Sequence, residues 1–176
     1  MCQTQFERAM DITNEELLRL ATKIEREGKA FYTELAERIP DPEVKEFLET
    51  MAKEEATHEI QFTKMLSEKG ERPYGWESDD SLRALIDAQY QTDIFPNLDE
   101  IFEQMPQFQG IQKAIGFALE AEKVSAEFYG LMQAACTDIK TKTLLILLER
   151  AEQDHLDRIE QLKERYMTRS QDESSP

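Results

Sequence analysis

Histidine is nearly missing from this chain: only His58 and His155 occur in 176 residues. Cysteine is as rare. Cys2 and Cys136 lie far apart without C-x-x-C partners, which suits a reduced compartment with two free thiols rather than a disulfide framework. Glycine and proline number six each, and the abundance of glutamate, leucine, alanine and lysine favours helix over sheet. No apolar run approaches the roughly 20 residues that span a bilayer. The opening "MCQTQFERAM" has no apolar signal-peptide core, so the expected location is the cytoplasm. A formal charge of −16 supplies no basic stripe, which argues against nucleic acid and against an anionic membrane surface as partners. The same charge is compatible with attracting cations.

What is present reads as an all-α domain over residues 1–176. Thr13 opens "TNEE", a capping box with Glu16, and Leu17, Leu20, Ala21, Ile24, Phe31, Leu35 and Ile39 then recur at helical spacing. A first helix is expected over 14–39. Asp41 as N-cap and Pro42 in the first turn start a second helix over 42–69, with Gly70 as its stop. Residues 70–108, interrupted by Pro73, Pro96 and Pro106, read as a long crossover. It contains one short helix in "SDDSLRALIDAQY", capped by Ser78 or Asp79. Adjacent antiparallel helices need only a few linking residues, whereas a chain returning to the far end of a bundle needs many. Third and fourth helices are expected over 110–136 and 139–169, with Asp138 as a cap and 170–176 as a disordered tail.

Residues 25–58 and 122–155 align without a gap. "EREGKAFY" lies over "EKVSAEFY", so Glu25 matches Glu122, Phe31 matches Phe128 and Tyr32 matches Tyr129. Asp41 matches Asp138, Glu55 matches Glu152, and His58 matches His155. Phe47, Leu48 and Met51 fall opposite Leu144, Leu145 and Leu148, which preserves core character. Apolar matches need nothing more than a shared core. Polar types recurring in register, both histidines included, need a shared site. Two helical hairpins carrying the same positions imply a pseudo-twofold bundle.

Residues three apart share a helix face, so Glu55 with His58, and Glu152 with His155, can point at one centre. Apolar neighbours (Met51, Ala52 and Phe62 on one helix; Leu148, Ala151 and Ile159 on the other) turn that face inward. A buried ionised carboxylate without a partner costs several kcal/mol. Four of them, Glu25, Glu55, Glu122 and Glu152, would repel one another in a dry interior unless dications neutralised them. Four carboxylates and two imidazoles around a twofold axis describe a dinuclear site. Oxygen ligands with imidazole suit iron or manganese, and zinc would also bind. Tyr32 and Tyr129 lie two turns along from Glu25 and Glu122, placed for a hydrogen bond to a glutamate across the bundle or for redox work. Cys136, near a helix end, has no evident role.

The stretches "EREGKAFYTELAER", "EEATHE", "EAEKVSAEFY" and "ERAEQDH" resemble the ferritin-like di-iron carboxylate superfamily and, within it, rubrerythrin-like proteins. The resemblance covers residues 13–70 and 108–168. It implies a ferritin-like four-helix bundle of two hairpins joined by the crossover. It implies two iron ions, with Glu55 and Glu152 bridging, Glu25 and Glu122 as terminal carboxylates, and His58 and His155 completing the set. The sequence departs from full-length rubrerythrins in lacking the cysteine pairs of a rubredoxin module. It also lacks an additional carboxylate one turn from Glu122, where Ala118, Leu119, Ser125 and Ala126 stand, while Glu120 and Glu127 lie off that face. That carboxylate is linked to the shift of one iron during peroxide reduction, and the symmetric six-ligand set is closer to bacterioferritin-like centres.

The expectation from this resemblance is an oxidoreductase that reduces hydrogen peroxide, or dioxygen, with electrons from a separate donor such as a rubredoxin-like protein. A homodimer, with or without exchanged helices, is the expected assembly. The alternatives are an iron-storage protein with ferroxidase activity, which needs a hollow shell, and a structural bundle clipped by zinc.

Overall fold

The computed structural model describes residues 11–68, 73–89 and 93–172, and these form six helices. They are α1 (Asn14–Arg38), α2 (Pro42–Glu68), α3 (Asp80–Gln89), α4 (Leu98–Gln104), α5 (Gln107–Ala135) and α6 (Ile139–Asp172). Three of the four long helices start where the sequence supplies a side-chain acceptor for their unpaired amides. At Thr13 both halves of the capping box form, with the Glu16 amide donating to Thr13 Oγ1 and the Thr13 amide donating to Glu16. Asp41 accepts from the amides of Glu43 and Val44, and Asp138 from that of Thr141. At the head of α5 the cap position is Pro106, which has no side-chain bond, and the helix begins three residues before the expected 110.

α1 pairs with α2 and α5 with α6, and contacts of α1 with α5 and of α2 with α6 close the four-helix bundle. The crossover is laid along α1 from its start to its end. Arg83 of α3 holds Glu16 at 3.0 Å; Glu27 accepts the Ile94 amide at 2.8 Å; Arg38 reaches Asp99 of α4 at 2.5 Å. The chain therefore crosses the whole length of the bundle before α5 begins.

Two expectations need correction. The crossover holds two short helices rather than one: α3, whose cap is Asp79 (accepting from the Leu82 amide), and α4, capped by Asn97. Leu98 and Ile101 of α4 are buried, so tertiary packing stabilises seven residues that could not hold a helix alone. α6 also continues to Asp172, through the start of the expected tail. The stop at Gly70, Cys2 and residues 173–176 lie outside the described residues.

The apolar interior divides in two. One cluster gathers Phe31, Tyr32, Leu35, Leu48, Ile111, Ala118 and Ile159 at the end of the bundle covered by α4. The other gathers Leu17, Leu20, Phe62, Phe128, Tyr129 and Leu148 with Trp76, Leu82 and Ile86 of the crossover at the opposite end. Between them, at the middle of each long helix, lies a polar layer. Among the described residues no helix is long and apolar enough to cross a membrane.

Candidate metal centre

The layer between the two cores contains the residues singled out by the internal repeat. Glu25, Glu55, His58, Glu122, Glu152 and His155 are all buried, the most exposed being His58 at 7%. They form two groups that share Glu55 and Glu152. One is Glu25, Glu55, His58 and Glu152; the other is Glu55, Glu122, Glu152 and His155, and within each group one ligand atom per residue lies within 4.8 Å of the rest. The Nδ1 atoms face inward. His58 Nδ1 is 2.8 Å from Glu152, 3.4 Å from Glu55 and 3.7 Å from Glu25. His155 Nδ1 is 3.3 Å from Glu55 and 3.4 Å from both Glu122 and Glu152. The two imidazole rings stack at 5.4 Å.

These approaches lack the alignment of hydrogen bonds. Both Nδ1 atoms, both oxygens of Glu152 and Oε2 of Glu25 are buried without a hydrogen-bond partner. Leaving so many buried polar atoms unpaired is costly. Atoms that converge on shared points without bonding one another are arranged as ligands, and this donor set fits a pair of divalent cations.

The electrostatics agree. Burial, reinforced by the charges of Glu152 and Glu55, pushes the Glu25 carboxyl well above its usual range despite His58. Burial and the charge of Glu55 do the same to Glu122. Burial also opposes ionisation of Glu55, but His155 and His58 outweigh it and hold that carboxyl down to about 2. Glu152 is likewise lowered by the two histidines against burial and the charge of Glu55. Burial disfavours a charged His58, yet Glu152, Glu25 and Glu55 together push it up to about 12. His155 moves in the same direction through Glu122, Glu152 and Glu55. The field at the centre is therefore strongly negative and selects positive charge.

The tyrosines complete a crossed pair. Tyr32 on α1 donates to Glu122 on α5, and Tyr129 on α5 donates to Glu25 on α1. Burial first, then the facing glutamate, raises both phenols well above their ordinary value, so both keep their protons. Around Glu122, positions Ala118, Leu119, Ser125 and Ala126 are buried while Glu120 and Glu127 are exposed, which leaves no further carboxylate on that face.

Two neighbours of the centre were not singled out by the sequence. Phe95, from the linker between α3 and α4, packs over Gly28 and against Phe31 and Tyr32, at ring separations of 4.8 and 5.9 Å. Glu27 anchors that linker by accepting the Ile94 and Phe95 amides. Glu54 reaches from α2 to α6, where its Oε2 lies 3.2 Å from His155 Nε2 and 2.7 Å from Arg158. Only the adjacency of Glu54 to Glu55 marks it in the sequence.

Comparison with known proteins follows the same lines. A solved structure of a hypothetical protein from Pyrococcus furiosus is 25% identical, with a TM-score of 0.66, over 89% of this chain and 92% of that one. A protein from Thermotoga maritima, described as ferritin-like and diiron-carboxylate, is 20% identical with a TM-score of 0.65, over 89% of this chain and 98% of that one, and shares the fold. No curated protein matches. A sequence model of the Rubrerythrin family matches residues 16–163. Running from the first turn of α1 into α6, through every helix and all six residues of the polar layer, that match places the chain in the rubrerythrin family.

Proposed function

We propose that this protein is a di-iron oxidoreductase that reduces hydrogen peroxide, with dioxygen as the slower oxidant. The observation that carries this reading is the pair of buried ligand groups sharing Glu55 and Glu152. In it, Glu25 and His58 would hold one iron, Glu122 and His155 the other, and Glu55 and Glu152, which stand in both groups, would serve both. Four carboxylates balance two divalent cations, so the loaded centre is neutral inside an apolar bundle, which favours its burial. An iron pair bound there would supply two-electron redox chemistry, by which one hydrogen peroxide and two protons from solvent become two waters and a separate donor protein restores the two electrons. A rubredoxin-like donor is a fitting partner, because no cysteine quartet lies in these 176 residues.

The chain's own groups shape the centre. Tyr32 and Tyr129 fix the terminal carboxylates Glu122 and Glu25 and hold their own protons. Phe95, Phe31 and Tyr32 form an aromatic wall beside Gly28 that limits water near Glu55. A homodimer in the cytoplasm is the proposed setting.

The test is stopped-flow oxidation of the iron(II)-loaded protein. The expected result is reaction with peroxide faster than with dioxygen by about tenfold or more, that is about 1.4 kcal/mol or more of barrier. Comparable or slower reaction with peroxide overturns the peroxidase assignment. A light-scattering mass of a large hollow assembly would instead favour iron storage.

A further inference from the structure

The two halves of the centre repeat one another in their ligands but not in what stands behind them. His155 presents Nδ1 to the polar layer and Nε2 to Glu54 at 3.2 Å. A nitrogen facing a cation must be unprotonated, so the other carries the hydrogen and donates it to the carboxylate. Glu54 is itself fixed. Arg158 binds the same oxygen at 2.7 Å, lies 3.5 Å from Asp154 and stacks over the Phe47 ring at 5.3 Å. In the repeat, the position matching Glu54 is Ala151 and that matching Arg158 is Gln61. Among the described residues no carboxylate reaches the outer nitrogen of His58.

We propose that Glu54 is a positioning residue that makes the pseudo-symmetric centre unequal. By fixing the tautomer and tilt of His155, it makes the cation held by Glu122 and His155 the tighter one. The cation held by Glu25 and His58 is then the exchangeable one. This inference rests on the dinuclear reading above. A hydrogen-bonded carboxylate behind a ligating histidine raises its basicity, and removing such a partner costs about ten- to a hundredfold in metal affinity.

The experiment is anaerobic titration of the full chain with cobalt(II), followed by ligand-field absorption and by the exchangeable imidazole N–H proton signals. Wild type should take two ions in two distinguishable steps. Glu54→Ala should weaken the tighter step by about ten- to a hundredfold, leave the other within about twofold, and broaden one N–H signal by opening it to water. Glu54→Gln should restore part of the loss, because its amide oxygen still accepts from Nε2–H. In a His155→Ala background Glu54→Ala should cost nothing further, whereas in a His58→Ala background it should cost its full amount. If wild type binds two ions and Glu54→Ala weakens both steps equally, or neither, the inference falls while the dinuclear centre stands. If wild type binds fewer than two, both fall.

Discussion

Tyr32 and Tyr129 exchange partners across the bundle: each phenol donates to the glutamate that begins the other's repeat. Tyr32 lies on the helix of Glu25 and serves Glu122; Tyr129 lies on the helix of Glu122 and serves Glu25. α1 and α5 are thereby tied at the level of the buried polar layer. Tyr32→Phe should destabilise the protein by about 1–3 kcal/mol, because it leaves a buried carboxyl oxygen unpaired. Tyr129→Phe should cost a similar amount. Urea denaturation of metal-free protein measures both. A change below about 0.5 kcal/mol would mean that water replaces the phenol.

Ligand removal should separate affinity from stability. Glu55 stands in both ligand groups, so Glu55→Ala should reduce occupancy at both positions, while His155→Ala should empty mainly the one it shares with Glu122. Metal content per chain after desalting checks this. His155 and His58 hold Glu55 ionised even without metal, so the metal-free variant should melt below metal-free wild type, and the loaded form should fall by more. Two ions per chain with unchanged affinity in both variants would refute the ligand assignment.

Protons should compete with metal for the same atoms. Glu25 and Glu122 are raised carboxyls and His58 and His155 raised imidazoles, so loading cations should release protons. Calorimetry in buffers of different ionisation enthalpy counts them. In metal-free protein the raised carboxyls contribute stability that is complete below about pH 4.5 and fades as pH rises towards their folded values. His58 contributes stability that is complete below about pH 6.5 and is lost as pH rises towards about 12. Glu55 acts oppositely, losing its contribution as pH falls from about 4.5 towards about 2. The metal-free melting temperature should therefore drop between about pH 5.5 and about pH 8.5, and the gap to the loaded protein should widen. A gap that narrows with pH would contradict the charge assignment.

Two glycines should respond in opposite directions. Gly75 has φ +108, and a Cβ there would fall 2.6 Å from the Ala135 carbonyl oxygen and 2.8 Å from Thr137 Cγ2. Gly75→Ala should cost about 2–5 kcal/mol and loosen the α5–α6 turn, where Thr137 donates twice to the Tyr74 carbonyl. Gly28 is helical, and a Cβ there meets the Phe95 ring at 3.4 Å and Glu55 Cγ at 3.5 Å, ordinary contact distances. Its counterpart in the repeat is Ser125. Gly28→Ala should therefore gain about 0.5–1 kcal/mol. Thermal melts of the two variants decide.

The long helices and the six converging side chains were legible because their signals are local or repeated. Caps at Thr13, Asp41 and Asp138 sit beside their own helices, and the hairpin repeat marked the site twice. α4 was hidden by Pro96 and Pro106 on either side of it, although Asn97 carries an ordinary cap signal. It exists because Leu98 and Ile101 find the core, which is a tertiary event. Glu54 and Phe95 were illegible for a related reason. Each acts on a residue far away in sequence, across an interface whose register no helical period encodes. The two-sided core was equally out of reach, since periodicity gives the buried face of a helix but not where along its length apolar packing pauses.

That pause has a mechanical meaning. The four long helices are clamped by greasy contacts above and below the ionisable belt, and the crossed phenols are what tie its waist. A local fluctuation of a turn or two at that waist would let the protein be charged with metal or stripped of it without unravelling.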